Sequence, residues 1–200
     1  VAKAQVQETP AAPSSSKEQP ASKVGLAVKP LVPMPLTGTI SFTGSKVTGS
    51  NTCLFTSSGG SLGILGQDIT KASFSFHADT KDLNCNPGER TKWTPKLEDH
   101  LRNEDFFWSS KYPTASFQSS AIEASKATAK NLYDITGQLT LRGVTKQIQF
   151  PATIVLGKGT VEGNAKFSIN RKDFGIEYSG KVDDLIRDNV VLEISLKGSR

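Results

Sequence analysis

This chain of 200 residues is poor in the side chains that most often carry out chemistry, with two histidines, two cysteines and one methionine. With only His77 and His100 present, a three-histidine zinc site is excluded. A mixed metal site would have to gather Cys53 or Cys85 with carboxylates from separate parts of the chain. No G-x-x-x-x-G-K-[ST] phosphate loop or H-E-x-x-H helix occurs, and the one G-x-S-x-G string, Gly59-Gly60-Ser61-Leu62-Gly63, lies in a Gly/Ser-rich stretch of short strands with no helical pattern directly after it, unlike a strand-to-helix nucleophile elbow. No stretch approaches the roughly 20 apolar residues of a membrane-spanning helix. Lys and Arg number 24 against 19 acidic residues. The excess is thinly spread and forms no phosphate-tracking stripe, so no nucleic-acid partner is expected. Neither cysteine belongs to a C-x-x-C pair. A Cys53–Cys85 bridge and two separate buried thiols both remain open.

Aromatic residues are absent from residues 1–35, which hold six of the ten prolines, four lysines and two glutamates. Such a segment has too little large apolar surface to offset the entropy of ordering it. Composition therefore divides the chain into a flexible Pro/Ser-rich linker, 1–35, and one folded domain, 36–200. The opening VAKAQVQETPAAPSSS reads like material downstream of a removed export signal, which points to a periplasmic or secreted protein.

What is present past residue 35 is a period of two, the mark of strands with one buried face. Ile40 and Phe42 alternate with polar neighbours, as do Phe74, Phe76 and Ala78; Ile135, Gly137, Leu139 and Leu141; Ile148 and Phe150; Ala165, Phe167 and Ile169; and Leu192, Ile194 and Leu196. Ala115 and Phe117 give a shorter version, and residues 47–55 add another strand. Gly59-Gly60, Asn86-Pro87-Gly88, Gly157-Lys158-Gly159 and Ser179-Gly180 separate them as turns. About eight short strands without long helices indicate an antiparallel sandwich or barrel, and an eight-stranded barrel has a lumen for side chains or one small ligand. Residues 95–109, with Leu101 and Phe106-Phe107-Trp108, suit a short helix capping one end. Phe42, Phe74, Phe76, Phe117, Phe150 and Phe167, with Leu139 and Ile194, would face such a lumen, joined by Leu101 and Phe106 from the cap. A solid sandwich core would be lined the same way, and periodicity alone leans toward it.

Three segments carry a family resemblance. Asp99, His100, Leu101, Asp105, Phe106, Phe107, Tyr112, Pro113 and Phe117 resemble the D-x-H-L-x-x-x-D-F-F…Y-P-x-x-x-F segment of YceI-like polyisoprenoid-binding proteins. Gly137, Leu139, Thr140, Gly143, Val144, Thr145 and Lys146 are similar to that family's G-x-L-T-x-x-G-V-T-K stretch. Arg171, Asp173, Phe174, Gly175 and Ile176 are similar to its R-x-D-F-G-I stretch. The resemblance implies an all-β, eight-stranded antiparallel lipocalin-like barrel with a short helical cap, holding a long isoprenoid or quinone-like lipid in an apolar lumen. It implies no catalysis and no cofactor beyond that lipid, with carriage or storage as the role and transient membrane contact. The alternative is an envelope stress or interaction protein whose barrel is filled by its own side chains. Oligomeric state is left open, a dimer included.

The chain departs from the family where members carry D-x-x-H-S and K-H-x-x near the first two strands. Here the region reads LTGTISFTGSKVTGSNTC, without histidine. His77 falls on a polar strand face. His100 is a structural histidine in this reading, held by Asp99, Asp105 or a backbone carbonyl. Arg171 and Asp173 are expected to make an ion pair or loop-closing hydrogen bonds, with a lipid head group as the alternative partner for the arginine.

Overall fold

The alternating segments become β2 (Met34–Lys46), β3 (Gly49–Phe55), β4 (Ser58–Gly63), β5 (Ser73–Asp79), β6 (Leu83–Cys85), β7 (Thr114–Ala124), β8 (Leu132–Leu141), β9 (Val144–Leu156), β10 (Thr160–Asn170) and β13 (Asn189–Ser199). The computed structural model describes residues 33–64, 66–127 and 129–199, with the backbone of β1 (Ala2–Lys3). Two short strands, β11 (Gly180–Lys181) and β12 (Asp184–Leu185), form a separate hairpin, and α1 (Thr94–Arg102) is the one α-helix among the described residues. Most of the 1–35 linker expected from composition lies outside the described residues. Its inner boundary shifts, since β2 starts at Met34, buried and paired with Leu62. Pro35 looked like linker because it lacks an N–H, yet the first residues of a strand tolerate that loss.

The sheet closes into a barrel. β10 pairs with β9, β9 with β8, β8 with β7, β7 with β5, β5 with β4 and β4 with β2; β13 then pairs with β2 on one side and β10 on the other. All these barrel pairings are antiparallel. β3 and β4 follow one another along β2 with a break at Thr56 and Ser57, and β6 continues the β5 position beside β3. Eight strand positions with one inward face each bury an interior that includes Ile40, Phe76, Phe117, Ile135, Ile148, Phe150, Phe167 and Ile194. Closure gives each strand position a partner on both sides for at least part of its length, β9 meeting β10 over Ala152–Leu156.

β7 explains why its alternation looked short. A register shift between Ser119 and Ala121 inserts an extra residue, so Phe117 and Ile122, five positions apart and of opposite parity, both point inward. Cys53 and Cys85 occupy directly opposite positions on β3 and β6 and form a disulfide with Cα atoms 3.9 Å apart. Helix α1 starts with Pro95 in its first turn, where the missing N–H costs nothing, and lies at the end of the barrel that carries the disulfide.

Candidate functional site

The three signature segments meet at the α1 end, and most of their side chains brace it. Arg142, at positive φ in the β8–β9 turn, donates through Nη1 to the Gly175 carbonyl and through Nη2 to the Glu104 carbonyl (2.6 Å), and its guanidinium lies 5.7 Å from the Trp108 ring. Gly143 follows at φ 74°, and a Cβ there would strike the Tyr112 ring. Arg171 is 3% exposed, and its guanidinium donates to the carbonyls of Ile176 (2.7 Å) and Arg187 (3.2 Å) and to Asp188 Oδ1 (3.3 Å). Its donors close the loop before β13, the loop-closing hydrogen bonds expected from sequence. His100 Nε2 lies 3.0 Å from Asp105 Oδ2, with its ring edge-on to Phe106 and Tyr178. Asp99 instead accepts from Arg102 (2.9 Å). His77 is exposed.

Glu98, buried on α1, fastens the cap to the barrel wall. Its carboxylate takes Arg90 Nη1 at 2.7 Å and the backbone N–H of Cys85 at 2.9 Å. The Arg90 hydrogen bond, with smaller help from Cys85, holds its pKa below the usual glutamate range against the opposing effect of burial. Among the described residues no three His, Cys, Asp or Glu side chains gather as a metal site.

Two chambers open within the lumen among the described residues. The cap-side chamber, about 110 Å³, is lined by Phe42, Phe76, Leu101, Phe106, Leu139 and Ile194, with Gly44 and Phe107 among its further walls. The far chamber, about 50 Å³, is lined by Phe74, Phe150 and Ile194 with Ile122, Ile154 and Gly163. Phe117 and Phe167, each at most 2% exposed, line neither and lie between them. All ten residues expected at the lumen thus lie in or against the barrel core. Sequence reasoning passed over Phe107 in favour of Phe106. Phe107 is the ring wedged against Phe42 (5.3 Å) and Phe55 (5.8 Å), while Phe106 sits further out beside His100 and Tyr178. Gly44 and Gly163 were also missed, because a glycine adds nothing to a hydrophobic pattern. Ile122 was hidden by the bulge.

A groove of about 430 Å³ runs outside the cap-side chamber between α1 and β2, sharing Phe42, Gly44, Leu101, Phe106 and Ile186 with it and adding Leu97 and Trp93. Of the exposed large hydrophobic residues, Val47, Trp93, Tyr178, Val182 and Leu185 belong to this end of the barrel. The site is therefore an apolar interior with a partly exposed groove at the α1 end, where Lys46, Asn51, Asn86 and His100 stand among the apolar side chains.

A family model described as YceI-like domain matches residues 32–198. The chain is 35% identical over 133 residues to a UPF0312 protein of Pseudomonas putida strain W619, covering 64% of this chain and 62% of that protein. It is 37% identical over 125 residues to a UPF0312 protein of Pseudomonas fluorescens strain SBW25, covering 60% and 58%. The matched segment spans less than two thirds of the length of these relatives. Among solved structures, BcnA of Burkholderia cenocepacia superposes with a TM-score of 0.68 at 20% identity, covering 80% of this chain and 96% of that one. A polyisoprenoid binding domain from Saccharophagus degradans, implicated in plant cell wall breakdown, gives 0.63 at 15% identity, covering 84% and 98%. At such identities the likeness is one of fold.

Proposed function

The chain belongs to the YceI-like domain family, and from that premise we propose that it is a non-enzymatic binder of an isoprenoid or quinone-like lipid, with carriage or storage as its role. One observation carries the reading: an apolar chamber inside a closed barrel joins a groove of mixed polar and apolar lining at the α1 end, suited to a hydrocarbon chain with a polar head. The one charged residue on the chamber lining, Arg171, has its guanidinium committed to loop carbonyls and Asp188. A hydrocarbon chain gains about 25 cal/mol for each Å² of apolar surface removed from water, so affinity needs no ionic anchor. The Saccharophagus domain of the same fold is described as polyisoprenoid-binding, which supports the ligand class. The disulfide supports an oxidising compartment, periplasmic or extracellular. The exposed Trp93, Val182 and Leu185 beside the groove support brief contact with a membrane during loading.

Native mass spectrometry of gently purified protein tests the reading, because a retained lipid adds a defined mass that organic extraction removes. Protein that carries no lipid and takes up none from added prenols or quinones would instead be an interaction protein whose barrel is filled by its own side chains. The packed rings of Phe117, Phe150 and Phe167 favour that second reading.

A further inference from the structure

Four phenylalanines cross the lumen in a file. Phe76 on β5 stacks on Phe117 of β7 (centroids 5.3 Å, planes 18° apart), Phe117 meets Phe150 of β9 (5.4 Å), and Phe150 stacks on Phe167 of β10 (4.1 Å, 9°). Each is at most 6% exposed. The file can pass β8 because β8 has Gly137 there, and a Cβ at that position would run into the Phe117 ring that covers it. The two chambers lie on opposite sides of this file. Their linings share one side chain, Ile194, on β13.

We propose that this file is a partition that sets the chain length of the ligand, so that the cap-side chamber and its outer groove take a short prenyl chain while the far chamber stays empty. The proposal rests on the lipid-binding reading and specifies its ligand. Chambers of about 110 and 50 Å³ are each well below the roughly 300 Å³ at the small end of drug-sized sites. A long polyprenyl chain entering from the cap side could reach the far chamber only by turning stacked, buried rings out of their packing, which close-packed interiors resist. A short chain needs only the cap-side space, with its polar end in the groove beside His100 and Trp93.

The test compares the affinities of farnesol, geranylgeraniol and solanesol for the full chain, followed by the combined fluorescence of Trp93 and Trp108 and by native mass spectrometry. Farnesol should bind about tenfold or more tightly than solanesol. Two glycine variants locate the chain, because an added Cβ at Gly44 or Gly163 meets nothing within 4 Å. Gly44→Leu fills the cap-side chamber and should abolish farnesol binding, whereas Gly163→Leu fills the far chamber and should leave it intact. Phe150→Ala opens the partition and, in protein shown to be folded by circular dichroism, should close the gap between farnesol and solanesol. If solanesol binds the unmodified chain as tightly as farnesol, or Gly163→Leu weakens farnesol as much as Gly44→Leu does, the partition is overturned and lipid binding stands. If no prenol of any length binds, the lipid reading itself falls, and the partition with it.

Discussion

Gly137 shows how a missing side chain can be structural. Its strand neighbours Ile135 and Leu139 face the core, and a third apolar residue would be the naive choice between them. Yet a Cβ there would lie 2.8 Å from Phe117 Cε2 and would also press on the Gln118 carbonyl. Two effects compete in Gly137→Ala. Restricting the unfolded chain stabilises by about 0.4–1 kcal/mol, and forcing a packed ring aside costs about 1–3 kcal/mol. The second wins, so the variant should lose roughly 1–2 kcal/mol in urea unfolding, with a larger loss for Gly137→Val. Equal or raised stability would mean that the Phe117 ring is not seated over the glycine. From the sequence, the inward parity of Phe76, Phe117, Phe150 and Phe167 could be read, because parity needs only the period of a strand. That the four touch in series could not, since contact depends on strand order and on the glycine between two of them. Signature residues such as Gly143 and Tyr112 gave the family away, yet the structure uses their close approach to brace the cap end.

At the level of elements, two different links hold the cap end of the barrel together, and each has its own signature. The Cys53–Cys85 disulfide joins β3 to β6 across a sequence separation of 32. Replacing both cysteines by alanine should lower unfolding free energy by about 2–4 kcal/mol, with the chain-entropy value near the top of that range. A loss under about 0.5 kcal/mol in denaturant titrations would show that β6 is held by its ladder and by Glu98 alone. Glu98 is the second link. Its carboxyl has a folded-state pKa below the ordinary value of about 4.3, chiefly through Arg90. A depressed carboxyl pKa stabilises the fold fully above the unfolded value and loses that contribution as pH falls through the folded value. The stability gap between the unmodified chain and Glu98→Gln should therefore be constant near neutrality and close as the pH drops below about 4.3. A gap that persists at the lowest pH where both fold would assign Glu98 a packing role instead. The short helix and its place as a cap were readable from Pro95 and the Leu97–Leu101 spacing. The ion pair with Arg90 was not, because the loop that folds Arg90 back onto α1 carries no periodic signal.

For the whole molecule, closure depends on β13. Its residues Val190–Leu196 alternate legibly, but nothing in that alternation says that the strand is central, bonded to β10 on one side and to β2 on the other. The pairing of Val191 with Thr43 joins positions nearly the full domain apart in sequence. Contacts of such long range form late and make folding slow, since loop-closure entropy precedes their reward. Ser195 sits in the middle of this seam, opposite Thr39 on β2 and Asn164 on β10. Its side chain is exposed, so substitution there changes little in the core. Ser195→Pro removes one ladder N–H from a strand paired on both sides, where proline is essentially never accommodated. Orphaning the facing carbonyl alone should cost about 1–3 kcal/mol, and Ser195→Ala supplies the control for the lost hydroxyl. If β13 is the seam, the proline variant should lower the urea midpoint far more than the alanine variant and increase hydrogen exchange in both β2 and β10. Exchange confined to β13, with β2 and β10 as protected as before, would mean that the barrel holds its shape without closing.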